Sequence, residues 1–197
     1  MAIDDASTLD PNVPLPADED SLARVLGRLD DKIALLAQIN QSLDTLARAI
    51  FKSWFVDFDP IRAKIDGRHT ALAPAIATLF PSRLVDSELG EIPPGWRIGN
   101  PTDFAALKAL NDGHTEFVYF AVTPTDTLEE LMDLANRAAY PSVPPEIIAA
   151  TKVVCPPDDL LAAYSRIITP LLAKMTRNKD DSQHLTRLRN ALLPNHR

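Results

Sequence analysis

The hydrophobic pattern becomes periodic at Leu22. Leu22, Val25, Leu29, Leu36, Ile39, Leu43, Leu46 and Ile50 follow one another at alternating spacings of three and four, broken only at Lys32, where Ile33 stands beside the gap. That spacing keeps one helix face apolar and predicts a coiled-coil helix seamed by Leu29, Leu36, Leu43 and Ile50. Phe51, Trp54, Phe55 and Phe58 then repeat at i, i+3, i+4 and i+7 up to Asp59-Pro60, which carries the helix to residue 58. This aromatic stripe starts one position later than the leucine seam, a step that turns the apolar face by roughly 100°. It therefore faces either the protein's own small domain or another subunit.

A second helix is predicted from Asp158-Asp159, a good cap with a negative first turn, to about residue 193. Leu161, Tyr164, Ile168, Leu171, Met175, Leu185 and Leu192 lie on its heptad grid, with Asn178 and Ser182 as polar members that read as register devices. Pro170 should kink it. The two helices have similar spans, roughly 50 to 55 Å. The chain between them leaves one helix end and returns to the other, so antiparallel pairing into a stalk with a small insert at one tip is expected. Pairing with a second copy, a possible homodimer, satisfies the same seam.

Between the helices, residues 60–100 read as an irregular connector punctuated by prolines and glycines. Asp103–Leu110 reads as a short helix, and Phe117–Val122 as a strand by its aromatic and β-branched content. Thr127 with Glu130 forms a capping box for a helix to about Ala139, and Thr151–Cys155 is a second strand. The fold class expected is α+β, mainly α. Four segments follow: a flexible tail (1–21), a first long helix (22–58), a small α/β insert (59–157) and a C-terminal helix with its tail (158–197).

Composition narrows the chemistry. Among 197 residues there are 17 prolines but only six glycines, and no phosphate-cradling glycine spacing occurs. The single Cys155 can form neither an internal disulfide nor a zinc site by itself, which favours a reducing compartment. The acidic start lacks a signal peptide and no long apolar run appears, so no membrane is expected and the chain reads as cytoplasmic. His69, His114, His184 and His196 are scattered, and Asp30-Asp31-Lys32 lies on the solvated side of the first helix. No catalytic constellation, metal set or cofactor site can be assembled, and an enzyme is not expected.

The net charge of −7 is unevenly spread, about −5, 0, −6 and +4 over residues 1–50, 51–100, 101–150 and 151–197. Bulk electrostatics thus disfavours coating of nucleic acid. Two basic groups remain as candidate phosphate contacts: Lys52, Arg62, Lys64 and Arg68, and the C-terminal Arg187, Arg189 and Arg197. The alternative is ordinary surface charge. For protein contact, Phe51, Trp54, Phe55 and Phe58 are the candidates, because aromatic anchors dominate interfaces.

Several stretches resemble a known family. Leu29-Asp30-Asp31-Lys32-Ile33, the run from Leu46 through Lys52-Ser53-Trp54-Phe55-Val56-Asp57-Phe58-Asp59-Pro60, and Leu79-Phe80-Pro81 through Asp86-Ser87-Glu88-Leu89-Gly90-Glu91-Ile92-Pro93-Pro94-Gly95-Trp96 are similar to the central region of Type I restriction-modification specificity subunits. Leu185–Pro194 looks like the closing helix of that family. The resemblance covers about residues 22–98 and 117–194. It implies a non-catalytic DNA-reading subunit in which paired helices space two recognition domains and recruit a methyltransferase (M) subunit and a translocating nuclease (R) subunit. Against that pattern the chain reads as truncated. No first recognition domain precedes Leu22, and 59–157 is a reduced second one. A structural remnant that binds partners or dimerises without reading bases is the competing expectation.

Overall fold

The computed structural model describes residues 19–99, 115–122 and 152–193. Two long helices dominate: α1 (Glu19–Phe55) and α5 (Asp158–Leu192). Between them come α2 (Asp59–Ile65), α3 (Pro74–Ala77), β1 (Val85–Ser87), β2 (Gly90–Ile92), β3 (Arg97–Gly99), α4 (Thr115–Val122) and β4 (Val153–Cys155). The chain is α+β and mainly α, with its two long helices packed together, the class read from the hydrophobic pattern. The helices expected at Asp103–Leu110 and Thr127–Ala139 lie outside the described residues, as does the tail before Glu19.

The chain divides into two compact units. The first takes α1 up to Gln41 and α5 from Met175 onward. Its helices run antiparallel, since Asn40 bonds to Met175 and Asn178 while Asp30, ten residues earlier, pairs with Arg189. The second unit spans Ser42–Lys174 and holds the main core, built from Trp54, Phe55, Phe58, Ile61, Phe80, Trp96, Phe117, Phe120, Tyr164 and Ile168 among others.

The burial pattern of α1 corrects the phase of its seam. Residues 22, 26, 29, 33, 36, 40, 43, 47, 50 and 54 are all shielded, at strict alternation of four and three. Leu29, Leu36, Leu43 and Ile50 keep their places, but Val25 and Leu46 are exposed (38% and 48%) and their seam positions pass to Leu26 and Ala47. Small Ala47, fully buried, and polar Asn40 escape a search for large apolar side chains. The seam then reaches Trp54 without a shift. Phe51 and Phe55 widen it instead of rotating it. On α5 positions 161, 164, 168, 171, 175, 178, 182, 185, 189 and 192 are all among those shielded, so Leu171, Leu185 and Leu192 sit where the heptad grid puts them. Pro170 is on the exposed side, and the helix continues past it unbroken.

α1 ends at Phe55, three residues before the end that the sequence pattern predicts. The amides of Val56 and Asp57 both donate to the Lys52 carbonyl, and Phe58 turns into the left-handed region (φ 55°, ψ 36°). Asp59-Pro60 then opens α2, whose first amides, Ile61 and Arg62, donate to the Phe58 carbonyl. A left-handed phenylalanine costs about 1 to 2 kcal/mol. Burial of its ring edge-on to Trp96, with centroids 5.6 Å apart, offsets that cost.

The connector of residues 60–100 is more ordered than expected. β1 and β2 form an antiparallel hairpin, Val85 opposite Ile92 and Ser87 opposite Gly90. Gly90 (φ 91°) supplies the positive φ that closes its loop. In Pro93-Pro94-Gly95-Trp96 the Trp96 amide donates to the Pro93 carbonyl, and Gly95 has φ 83°, as a type II turn requires at its third residue. That turn delivers Trp96 into the core. β3 then pairs antiparallel with β4, Arg97 opposite Cys155 and Gly99 opposite Val153, so residues 100–152 leave and return at adjacent strand ends.

The segment read as a strand, Phe117–Val122, is helical. Phe117 and Phe120 are buried (1% and 2%) while Tyr119 is 46% exposed, a spacing of three that only a helix provides. Packing against the aromatic core overrides the β-propensity of these residues.

Candidate functional site

The aromatic candidates for partner contact and the first basic group lie around the junction between α1 and α2, within the second unit. Trp54, Phe55 and Phe58 are buried to 5% exposure or less, and Phe51 is half-buried. Trp54 meets Phe80 edge-on at 5.2 Å, and Phe55 meets Phe117 and Tyr164 edge-on at 5.1 and 5.0 Å. Of the two roles open for this stripe, the one these contacts serve is packing on the protein's own small domain. Leu46, Val56 and Ile65 are apolar side chains exposed around the junction.

The basic candidates are each held by a neighbour within the chain. Lys52 donates to both carboxylate oxygens of Asp57, and the Arg62 guanidinium donates to the Asp57 carbonyl at 2.9 Å. Lys64 donates to the Phe80 carbonyl, and Arg68 pairs with Asp66 at 2.7 Å. Asp57 thus gathers two of the four cations around the helix end. Lys52 and Arg68 keep 65% of their side chains exposed, so a phosphate would have to compete with their carboxylate partners in water. Among the C-terminal cations, Arg189 pairs with Asp30, Arg187 is exposed, and Arg197 lies outside the described residues.

Other groups complete the picture. A cavity of about 300 Å³ lies beside α4, its walls aromatic and aliphatic but for Glu91 and Lys152. Lys152 pairs with Glu88 at 2.5 Å. Burial pushes the Tyr164 hydroxyl well above the ordinary phenol range, with the Glu116 carboxylate adding to the effect, and that hydroxyl has no hydrogen-bond partner among the described residues. Among the described residues no cluster of His, Cys, Asp and Glu could hold a metal ion. None of their helices is long and apolar enough to cross a membrane. His69 and His184 are exposed, while His114 and His196 lie outside the described residues.

What sequence reasoning missed is the part-buried pair of Asn40 and the fully buried Asn178. The Asn178 amide donates to the Asn40 side-chain oxygen at 2.8 Å, and Asn40 donates to the Met175 carbonyl at 3.1 Å. Asn178 drew notice as a polar seam member. Asn40 shares its place on the opposite seam, a signal visible only once that seam is taken through Leu26 and Ala47.

The described residues form a helix pair and an aromatic unit. The chain is similar to the specificity subunits of Type I restriction enzymes, the resemblance its motifs carry. Over 64 residues, 32% of this chain, it is 48% identical to the Type I restriction enzyme HindI specificity subunit of Haemophilus influenzae, 14% of which is covered. Over 108 residues, 54% of this chain, it is 26% identical to the Type I restriction enzyme MjaIX specificity subunit of Methanocaldococcus jannaschii, 21% of which is covered. The matches thus span about a fifth or less of the length of these curated relatives. No family model matches the chain, and no solved structure matches it.

Proposed function

We propose that the chain serves as a non-catalytic specificity subunit, or part of one, that holds a methyltransferase and a nuclease subunit on DNA. The observation that carries this reading is the 48% identity to a specificity subunit over 64 residues. Paired helices suit a spacing role, because a stiff element between contacts decides which half-sites are reached together. The β3–β4 pair supports it further, since adjacent strand ends are a natural place to insert a recognition domain between residues 99 and 153. Exposed Leu46 and Val56, beside the buried aromatic stripe, are the side chains offered to the methyltransferase.

A second reading is a partner-binding module without base readout. The charge of about −6 over residues 101–150 and the intrachain pairing of Lys52, Arg62, Lys64 and Arg68 favour it. Base reading needs polar side chains held against base edges. The chain should co-purify with a Type I methyltransferase subunit from its own host, and Val56→Asp should weaken that association without unfolding the chain. In the first reading the complex prefers one DNA sequence over random DNA as salt is raised; in the second the preference is absent. Failure to co-purify would refute both.

A further inference from the structure

We infer that Asn40 and Asn178 form a lock that selects one register for the antiparallel helices α1 and α5 in the unit they build from residues up to 41 and from 175. The two side chains occupy opposing seam positions and bond to each other at 2.8 Å, and Asn40 also reaches the Met175 carbonyl. Apart from this pair, the seams here are permissive. α1 supplies Leu22, Leu26, Leu29, Ile33 and Leu36, and α5 supplies Met175, small Ser182, Leu185 and Leu192, with Arg189 turned to Asp30 at the edge; the apolar members face apolar neighbours again after a slide of seven residues.

With the amides in place, a slide is no longer neutral. Moving α5 by one heptad sets Asn40 opposite Leu185 in one direction, or Asn178 opposite Ile33 in the other. Either shift places a shielded amide against a branched aliphatic chain and breaks the bond between the two asparagines.

The pair is ill suited to stabilising the fold. Asn178 is fully buried and its side-chain oxygen has no partner among the described residues, so the site gives up stability that leucine would supply. Selection of one arrangement is what such a pair offers in exchange. The Asp30–Arg189 ion pair favours the same register, but its carboxylate is 56% exposed and salt screens it. The amides carry no charge, so their selectivity persists in concentrated salt.

This inference is independent of the functional reading, and its test needs no DNA or partner. Spin labels on exposed positions 23 and 184 of the full chain, in a Cys155→Ala background, are offset along the helix axes, so a slide changes their separation. In 1 M salt the parent should give one narrow distance. Asn40→Leu/Asn178→Leu should melt higher yet add a second distance, as expected for a slide of about 10 Å along the axis. Transplanting the pair by one heptad, by adding Ile33→Asn and Leu185→Asn to that variant, should restore the single distance. A single unchanged distance in the double-leucine variant, or a mixture that the transplanted pair does not resolve, would overturn the lock.

Discussion

Replacing Trp54 by alanine tests whether the aromatic stripe is core. Trp54 is 3% exposed and its ring meets Phe80 at 5.2 Å, Tyr164 at 6.0 Å and Phe55 at 6.1 Å. Truncating such a side chain costs about 3 to 5 kcal/mol, the lost transfer energy plus the cavity left behind. That multiplies the unfolded population by roughly 150 to 5,000. For a chain of 197 residues it corresponds to a fall in melting temperature of roughly 6 to 20 °C. Urea denaturation followed through Trp96, buried in the same core, reads the change directly. Trp54→Phe, which keeps a ring against Phe80, should lose less than half as much. Were Trp54→Ala to melt within 2 °C of the parent, the core assignment would be wrong and the stripe would have to face outward. Because the alanine variant loses the fold that carries the surface, any loss of partner binding in it would say nothing about direct contact. Val56→Asp is the cleaner probe of docking.

Two further outcomes follow from the burial pattern and the chemistry of α4 and α5. Phe120→Ala should cost about 3 to 5 kcal/mol in thermal or urea unfolding and Tyr119→Ala less than about 1, since Phe120 is 2% and Tyr119 46% exposed; the reverse order would restore the strand. The Tyr164 phenol is harder to ionise in the folded chain than in the unfolded one, so the stability it contributes is complete below the unfolded pKa of about 10 and is lost as pH rises above it. Tyr164→Phe should flatten that alkaline loss and, because the hydroxyl has no partner among the described residues, leave stability at neutral pH equal or higher. An alkaline melting profile unchanged by the substitution would remove Tyr164 from the account.

The parts of the fold legible in the chain are those with strong local signals. Both long helices announce themselves by heptad spacing, the α5 start by Asp158-Asp159, and β4 by its β-branched run. The motif Ser87-Glu88-Leu89-Gly90 through Trp96 carries its own turn chemistry, since Gly90 and Gly95 alone tolerate the positive φ their turns need. The candidate site was legible as a set of residue types and not as a surface. Trp54, Phe55 and Phe58 look alike as interface anchors or as core, and Lys52 and Arg62 look free until Asp57 is brought between them.

What the order of residues determined, then, is periodicity, punctuation and family likeness, because these depend on neighbours within one or two helical turns. Which of two adjacent apolar stripes faces the partner helix was decided by tertiary packing, which gives the seam to Leu26 and Ala47 and leaves Val25 and Leu46 outside. The same packing made Phe117–Val122 a helix, set Phe58 in the left-handed region between two helices, and brought Asn40 against Asn178 across 138 residues. Each of these choices depends on a surface contributed by a distant part of the chain, and local propensity is too weak to make it alone.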